Sequence, residues 1–223
     1  MGFVFDTIKA IKKDLPTQVK LVAVSKFHPI EAIQEAYDAG QRIFGESRMQ
    51  EIDKKHTALP QDIEWHFIGH LQTNKVKSIV PYIHTVQSLD SWKLMDEIEK
   101  HASRIDKRIR CLLEVHIAEE DAKYGFSFEK CKQFLEEGLW KDCKYAYLGG
   151  VMGMATNTDN HEKIKEEFRS LKIFFEEIKE NYFSDNDEFS EISMGMSDDY
   201  KLAIEEGSTM VRIGSSIFGN REY

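Results

Sequence analysis

Short, nearly continuous apolar runs alternate with longer amphipathic stretches along this sequence. The run Val19-Lys20-Leu21-Val22-Ala23-Val24-Ser25 shows the pattern. A strand that is apolar at nearly every position is buried on both faces, and parallel sheets covered by helices produce such strands. The spacing predicts helices over 3–15 and 29–39, then a strand over 42–45 and a helix over 47–55. Further strands are expected over 64–68, 82–86 and 109–117, the last being the longest, and over 145–150, 191–193 and 209–213. Helices are expected over 74–79, from a cap at Asp90 to about 103, over 127–137, about 160–179 and 200–206. Residues 181–188 read as a polar surface loop. The series amounts to about eight strand-then-helix units, the number that closes a (β/α)8 barrel. An open doubly wound sheet is the alternative that periodicity leaves standing. No linker or composition shift divides the chain, so one domain over 1–223 is expected.

Composition narrows the function classes. Of 223 residues, 41% are apolar and 31% charged, too apolar for a disordered chain. A formal net charge of −9 argues against a general binder of nucleic acid or of acidic membranes. It leaves room for an anionic small ligand held by local basic groups. Cys111, Cys131 and Cys143 form no CxxC pair, which fits reduced thiols in a cytoplasmic protein. The N-terminus lacks a signal-peptide core, and no apolar run approaches the ~18 residues of a membrane span.

The chemistry gathers at strand ends. In a barrel those ends share one rim, where barrel active sites lie. The turn Met194-Gly195-Met196-Ser197 follows the seventh predicted strand, ahead of Asp198 and Asp199. Gly214-Ser215-Ser216 follows the eighth. Small, hydroxyl-bearing loops that open helices supply free N–H groups of the kind a phosphate needs. Lys26 follows the first strand, which neighbours the eighth in a closed barrel. Read alone, Lys26 is a solvated strand-end lysine. Beside a phosphate loop, its amine is a candidate for Schiff-base formation, and the pair suggests pyridoxal phosphate.

Arg212 then reads as a partner of the pyridine nitrogen or, equally open, as the ion-pair partner of an interior carboxylate such as Glu114. Arginine only donates, so in the first role it leaves that nitrogen unprotonated and weakens the ring as an electron sink. Ser47 reads as a helix cap in preference to a ligand contact. His66 reads as a packed interior group beside the ligand. The i,i+4 pair His66/His70 is interrupted by Gly69 and lies on no helix, so no metal site is expected there. Asn74 and Lys75 can support the rim. The glycines of LGGVMGMAT lack dinucleotide spacing, and Met152 and Met154 read as core or pocket wall.

The same stretches carry a resemblance. AVSKFHP at 23–29, FGESRMQE at 44–51, WHFIGHLQTNK at 65–75, TVQSLD at 85–90, EVHIAEEDAKYGF at 114–126 and the block from Ser193 to Tyr223 are similar to the YggS/PROSC family, the pyridoxal phosphate homeostasis proteins. The resemblance implies a barrel like the alanine racemase N-terminal domain, with pyridoxal 5′-phosphate on Lys26. It places the phosphate against Ser193, Met194 and Ser197 and against Gly214 and Ser215, and the ring nitrogen near Arg212. The family commonly has Asn at the positions of Ser47 and His116, and Thr at that of Ser215. Serine keeps the hydroxyl at 215; an amide is lost at 47.

Two functions follow from this reading. One is a cofactor carrier without robust catalysis that binds, stores or delivers pyridoxal phosphate, with apo pyridoxal phosphate enzymes as recipients. The other is a racemase-type enzyme, which needs an acid/base on each face of the substrate carbon, of which Lys26 supplies one. In the racemases the second is a tyrosine from an added β-domain across a dimer. The sequence stops at Tyr223 without such a stretch, which favours the carrier and a monomer. A plain phosphate- or nucleotide-binding module has no use for Lys26.

Overall fold

A computed structural model describes residues 2–119 and 124–219. Part of the charged loop expected after the fifth strand, and the last four residues of the closing block, 220–223, lie outside the described residues.

After α1 (Phe3–Asp14) the chain alternates β1 (Lys20–Val24), α2 (Ile30–Asp38), β2 (Ile43–Glu46), α3 (Met49–Ala58), β3 (Glu64–Phe67), α4 (Val76–Ile79), β4 (Ile83–Leu89) and α5 (Trp92–Ser103). It continues through β5 (Ile109–Glu114), α6 (Phe128–Glu137), β6 (Ala146–Met152), α7 (His161–Tyr182), β7 (Glu191–Ser193), α8 (Tyr200–Glu205), β8 (Met210–Ile213) and α9 (Ser215–Phe218). The eight strands pair in sequence order and close, so the barrel replaces the open-sheet alternative. Closure is by parallel β1–β8 pairing, from Lys20 opposite Met210 to Ala23 opposite Ile213.

The apolar core lies between strands and helices. On α7, Ile164, Phe168, Leu171, Phe174, Phe175 and Ile178 are buried at helical spacing against the sheet. Phe44 and Trp65 face it from β2 and β3. Cys111, Cys131 and Cys143 are free thiols. Among the described residues no helix is long and apolar enough to cross a membrane.

Several boundaries differ from the sequence reading. β5 stops at Glu114, and β4 and β6, of seven residues each, are the longest strands. Val115 instead bridges Phe126 across the following loop, so the apolar run continues while strand pairing does not. β4 runs on through Gln87, which bonds to Ser193 and His66 in the interior, and Ser88, whose hydroxyl donates to the Gly69 carbonyl. Ser91, not Asp90, caps α5: its hydroxyl accepts from Leu94 N, while Asp90 faces His70. α7 extends to Tyr182, and Phe183 and Phe189 turn into the core, so 181–188 is only partly a surface loop.

Gly150 fixes how β6 meets β7. Its φ is +149°, and a Cβ at this position would lie 1.9 Å from the Glu191 carbonyl oxygen. Backbone on one strand thus occupies the place a side chain would take on the other. Gly150→Ala should cost ~2–4 kcal/mol in urea unfolding, as backbone strain and steric exclusion combine. A variant as stable as its parent would show that the two strands can separate there freely.

Candidate functional site

The barrel interior holds several buried polar and charged side chains, His66, Gln87, Glu191, Ser193 and Arg212 among them. At the N-terminal end, buried Glu191 accepts from Lys20, from Thr209 Oγ1 at 3.1 Å and from Arg110 Nη1 at 3.4 Å. Arg110 Nε also donates to Tyr147 Oη at 3.2 Å. These groups close the floor.

Above the floor runs a hydrogen-bond chain with a fixed direction. Arg212, 4% exposed, donates from Nη1 to Ser193 Oγ at 2.7 Å and to the Ser193 carbonyl at 2.8 Å. Its Nη2 donates to the Gly153 carbonyl at 3.0 Å. An arginine only donates, so Ser193 passes its own proton on, to Gln87 Oε1 at 2.7 Å. The amide of Gln87 then donates to His66 Nδ1 at 2.9 Å, which leaves the imidazole proton on Nε2. Burial holds His66 well below its ordinary pKa, with His84, Arg110 and Lys20 adding to the shift, so the ring is neutral. His66 Nε2 has no hydrogen-bond partner among the described residues. A ring nitrogen of His66, a ring nitrogen of His84 and a carboxylate oxygen of Glu64 lie within 4.8 Å of one another; with Nδ1 taken by Gln87 and the proton on Nε2, His66 is in the wrong state for a metal ligand.

At the C-terminal mouth, Arg212 meets the strand ends. Burial lowers its pKa to about 10, against the opposing pull of Asp199 and Glu114, so it stays cationic at neutral pH. Its hydrogen bonds go to Ser193 and Gly153 and not to Glu114, so the carboxylate pairing left open by the sequence is not the one adopted. The two predicted loops come together: Gly214 N donates to Ser197 Oγ at 3.2 Å. Asp199 Oδ1 accepts from Met196 N and braces the first loop. Gly214 packs on β1, where a Cβ would lie 3.2 Å from Val24 Cβ and from its carbonyl oxygen, two residues before Lys26. Ser215 begins α9, whose leading N–H groups have no partner within the helix. His28 stacks on Phe218 at 4.9 Å, which ties the Lys26 turn to α9.

The structure therefore brings Lys26, Ser197, Gly214, Ser215 and Arg212 to one rim. A group with a phosphate and a carbonyl fits these residues: cation, hydroxyls, helix-start N–H groups and an amine stand in neighbouring elements. Ser193 and Met194 sit deeper. Ser193 is spent on Arg212 and Gln87, and Met194 N donates to the Met210 carbonyl. His66 reaches the mouth only through Gln87 and Ser193. Ser47 is not a cap: Arg48 holds the N-cap position of α3, and Ser47 lines a groove with Met49, His70 and Lys75. His70 stacks on Tyr124 at 3.7 Å, away from His66.

Sequence reasoning missed Gln87, Gly153, Lys55 and Glu51. Gln87 could have been found as a polar residue inside an otherwise apolar strand. Glu51 and Lys55 carried only the ordinary i,i+4 signal of a solvated helix face. Instead, Lys55 is buried and donates to Glu46 Oε1 at 2.6 Å, Glu51 Oε2 at 2.8 Å and the Ser25 carbonyl at 2.9 Å.

Glu114 at the mouth is pushed up to about 7, first by burial and then by Asp90, with Arg212 opposing. A carboxyl with a raised folded pKa favours the fold in its protonated form. That contribution is complete below the ordinary value of 4.5 and is lost as pH rises through about 7. The unfolding free energy of the cofactor-free protein should carry this loss between pH 4.5 and about pH 7, and Glu114→Gln should remove it. Identical pH slopes for variant and parent would refute the assignment.

With this geometry, known proteins can be compared. The family described as alanine racemase, N-terminal domain, matches residues 4–222. The pyridoxal phosphate homeostasis protein of Aquifex aeolicus is 40% identical over 205 residues, covering 92% of this chain and 88% of its own. The human protein of that name is 35% identical, covering 95% and 80%. The structure of PipY from Synechococcus elongatus PCC7942 with PLP bound superposes with a TM-score of 0.87 at 31% identity, covering 97% of this chain and all of PipY. Alanine racemase of Clostridium difficile, in complex with cycloserine, shares the fold alone, at 14% identity and a TM-score of 0.78 over 59% of its length. The chain belongs to the alanine racemase N-terminal domain family and, within it, to the pyridoxal phosphate homeostasis proteins.

Proposed function

We propose that this protein binds pyridoxal 5′-phosphate as a Schiff base on Lys26 and serves intracellular homeostasis of that cofactor by binding, storing or delivering it. The observation that carries the reading is the packing of Gly214, bonded to Ser197, directly on the end of β1 just before Lys26. It sets an amine beside a phosphate-type loop, in a chain 40% identical to a protein named for pyridoxal phosphate homeostasis. When bound, the cofactor supplies a reactive aldehyde carbon and an electron-withdrawing ring. Ser197, Gly214 and Ser215 hold its phosphate, and Lys26 supplies the amine. Arg212, held by Ser193 with Gln87 and His66 behind it, would be the partner of the ring nitrogen and has no proton-accepting atom to offer.

The reading is of a carrier, not an enzyme. An unprotonated ring nitrogen is a poor electron sink, and a donor-only partner keeps it so. The protein acts as one domain over 1–223, as a cytoplasmic monomer, with apo pyridoxal phosphate enzymes as recipients. Purified protein mixed with pyridoxal phosphate should show visible absorption that borohydride fixes covalently, and Lys26→Ala should lose both. A colourless parent protein would overturn the proposal. Arg212→Ala should weaken binding or move the band; an unchanged band and affinity would remove its proposed role at the ring. Racemase turnover at enzyme-like rates of ~1–10³ s⁻¹ would overturn the carrier reading, whereas transfer to an apo-enzyme faster than free release would support it.

A further inference from the structure

The turn bearing Lys26 is gripped from both sides by a buried set of charges from β2 and α3. On one side, Ser25 Oγ donates to Glu46 Oε1 at 2.6 Å, and the Ser25 carbonyl accepts from Lys55 Nζ at 2.9 Å. On the other side, Phe27 N donates to Glu51 Oε2 at 2.7 Å. Lys55 joins the two by donating to Glu46 and to Glu51. Phe27 has φ of +69°, a left-handed conformation that non-glycine residues adopt only when their surroundings impose it. Arg48 lies over the Phe27 ring at 4.5 Å, and His28 N closes the turn on the Ser25 carbonyl at 3.1 Å.

Two features separate this arrangement from ordinary packing. First, its bonds go to the residues immediately before and after Lys26, so it fixes the position and direction from which that side chain leaves the backbone. Second, Lys55 places its three donors on three acceptors, Ser25 O, Glu46 and Glu51, which saturates an ammonium. It is therefore a second lysine near the end of β1 that is spoken for and cannot compete for an aldehyde.

We infer that Lys55, with Glu46 and Glu51, positions the Lys26 turn so that the Lys26 amine meets the carbonyl carbon of pyridoxal phosphate. The inference rests on the proposed role of Lys26 as the anchoring lysine. Glu46 ends β2 fully buried, one of its oxygens shared by Ser25 and Lys55, so the frame is anchored in the barrel wall and not in the loop itself.

The test uses the full chain and pyridoxal 5′-phosphate itself. Lys55→Met removes the joining cation. Glu51→Ala, on the more exposed side, removes the grip on Phe27 at less risk to folding, and Glu51→Gln restores an acceptor for the Phe27 N–H. Lys55→Met and Glu51→Ala should raise the dissociation constant about tenfold or more and shift the maximum or pH midpoint of the visible band. Glu51→Gln should recover most of the parent's values. Thermal unfolding without cofactor controls for simple damage.

Variants with parental affinity and band would overturn the inference. So would variants that lose thermal stability and affinity together while the band stays unmoved, because that is structural support only. Covalent fixation on Lys55 in the parent would overturn it as well. Equal borohydride labelling of the parent and Lys26→Ala would instead sink the anchoring role of Lys26, a result distinct from an indifferent Glu51 or Lys55 in a protein labelled at Lys26.

Discussion

A guanidinium with almost no exposure must find acceptors inside the protein, and the upper half of this barrel is arranged around that demand. Arg212 takes the carbonyls of Ser193, at the end of β7, and Gly153, just past β6. The Ser193 carbonyl also accepts from Gly153 N at 3.1 Å, so the ends of two strands and the arginine form one unit. This matters because β7 and β8 share only one registered pair, Ser193 with Met210. Where backbone pairing is short, side chains close the seam. Ser208 Oγ lies near the carbonyls of Ile192, Met194 and Met210, Thr209 Oγ1 accepts from Ile192 N, and Arg212 spans the top. Removing a buried arginine of this kind would take the side-chain donor from the Gly153 carbonyl as well as lose a charge.

The polar interior follows from the same demand. Barrels of this class commonly fill their centre with layers of branched apolar side chains. Here a donor-only group at the top sets the proton direction through Ser193 and Gln87 to His66, and each member fixes the next. Gln87 Nε2 also lies 3.2 Å from Met210 Sδ, so β4 reaches across to β8 through the centre. Below, Glu191 pairs with both Lys20 and Arg110, so the floor keeps a net positive charge that is felt at His66. Electrostatics near Arg212 are thus decided by Glu114 and Asp199, the carboxylates that oppose its burial.

The alternation of strands and helices was legible because strands buried on both faces must be apolar, and that pattern survives in sequence. Its failures were local and share a cause. Periodicity reports burial, not pairing, so 115–117, with Val115 and Ile117 buried, passed for strand although β5 ends at Glu114. Gln87 interrupts an apolar run because it bonds inside the barrel, and Ser88 because it bonds to the Gly69 carbonyl, so β4 looked short. Of the site, only the place of Lys26, Ser197, Gly214 and Ser215 after β1, β7 and β8 is legible, because it follows from strand order in a closed barrel. The partners of Arg212 are not, because carbonyl acceptors leave no residue-type signature. Lys55 was hidden for a different reason: Glu51 and Lys55 have the spacing of a solvated pair, and only the fold turns that face inward against Ser25.

Two lysines end near β1, and their different surroundings sort their roles. Lys55 is saturated by three acceptors, so its charge is spent on structure, whereas Lys26 sits on a turn whose geometry that charge maintains. Such an arrangement fixes the backbone on both sides of Lys26. On the neighbouring strand β8, Arg212 stays cationic at neutral pH and offers only donors. On the proposed reading, one end of the ligand meets an amine on a rigid turn and the other meets a group that cannot protonate it. Binding energy is then spent on holding the cofactor and not on stabilising a carbanion, which is the division of labour a carrier requires.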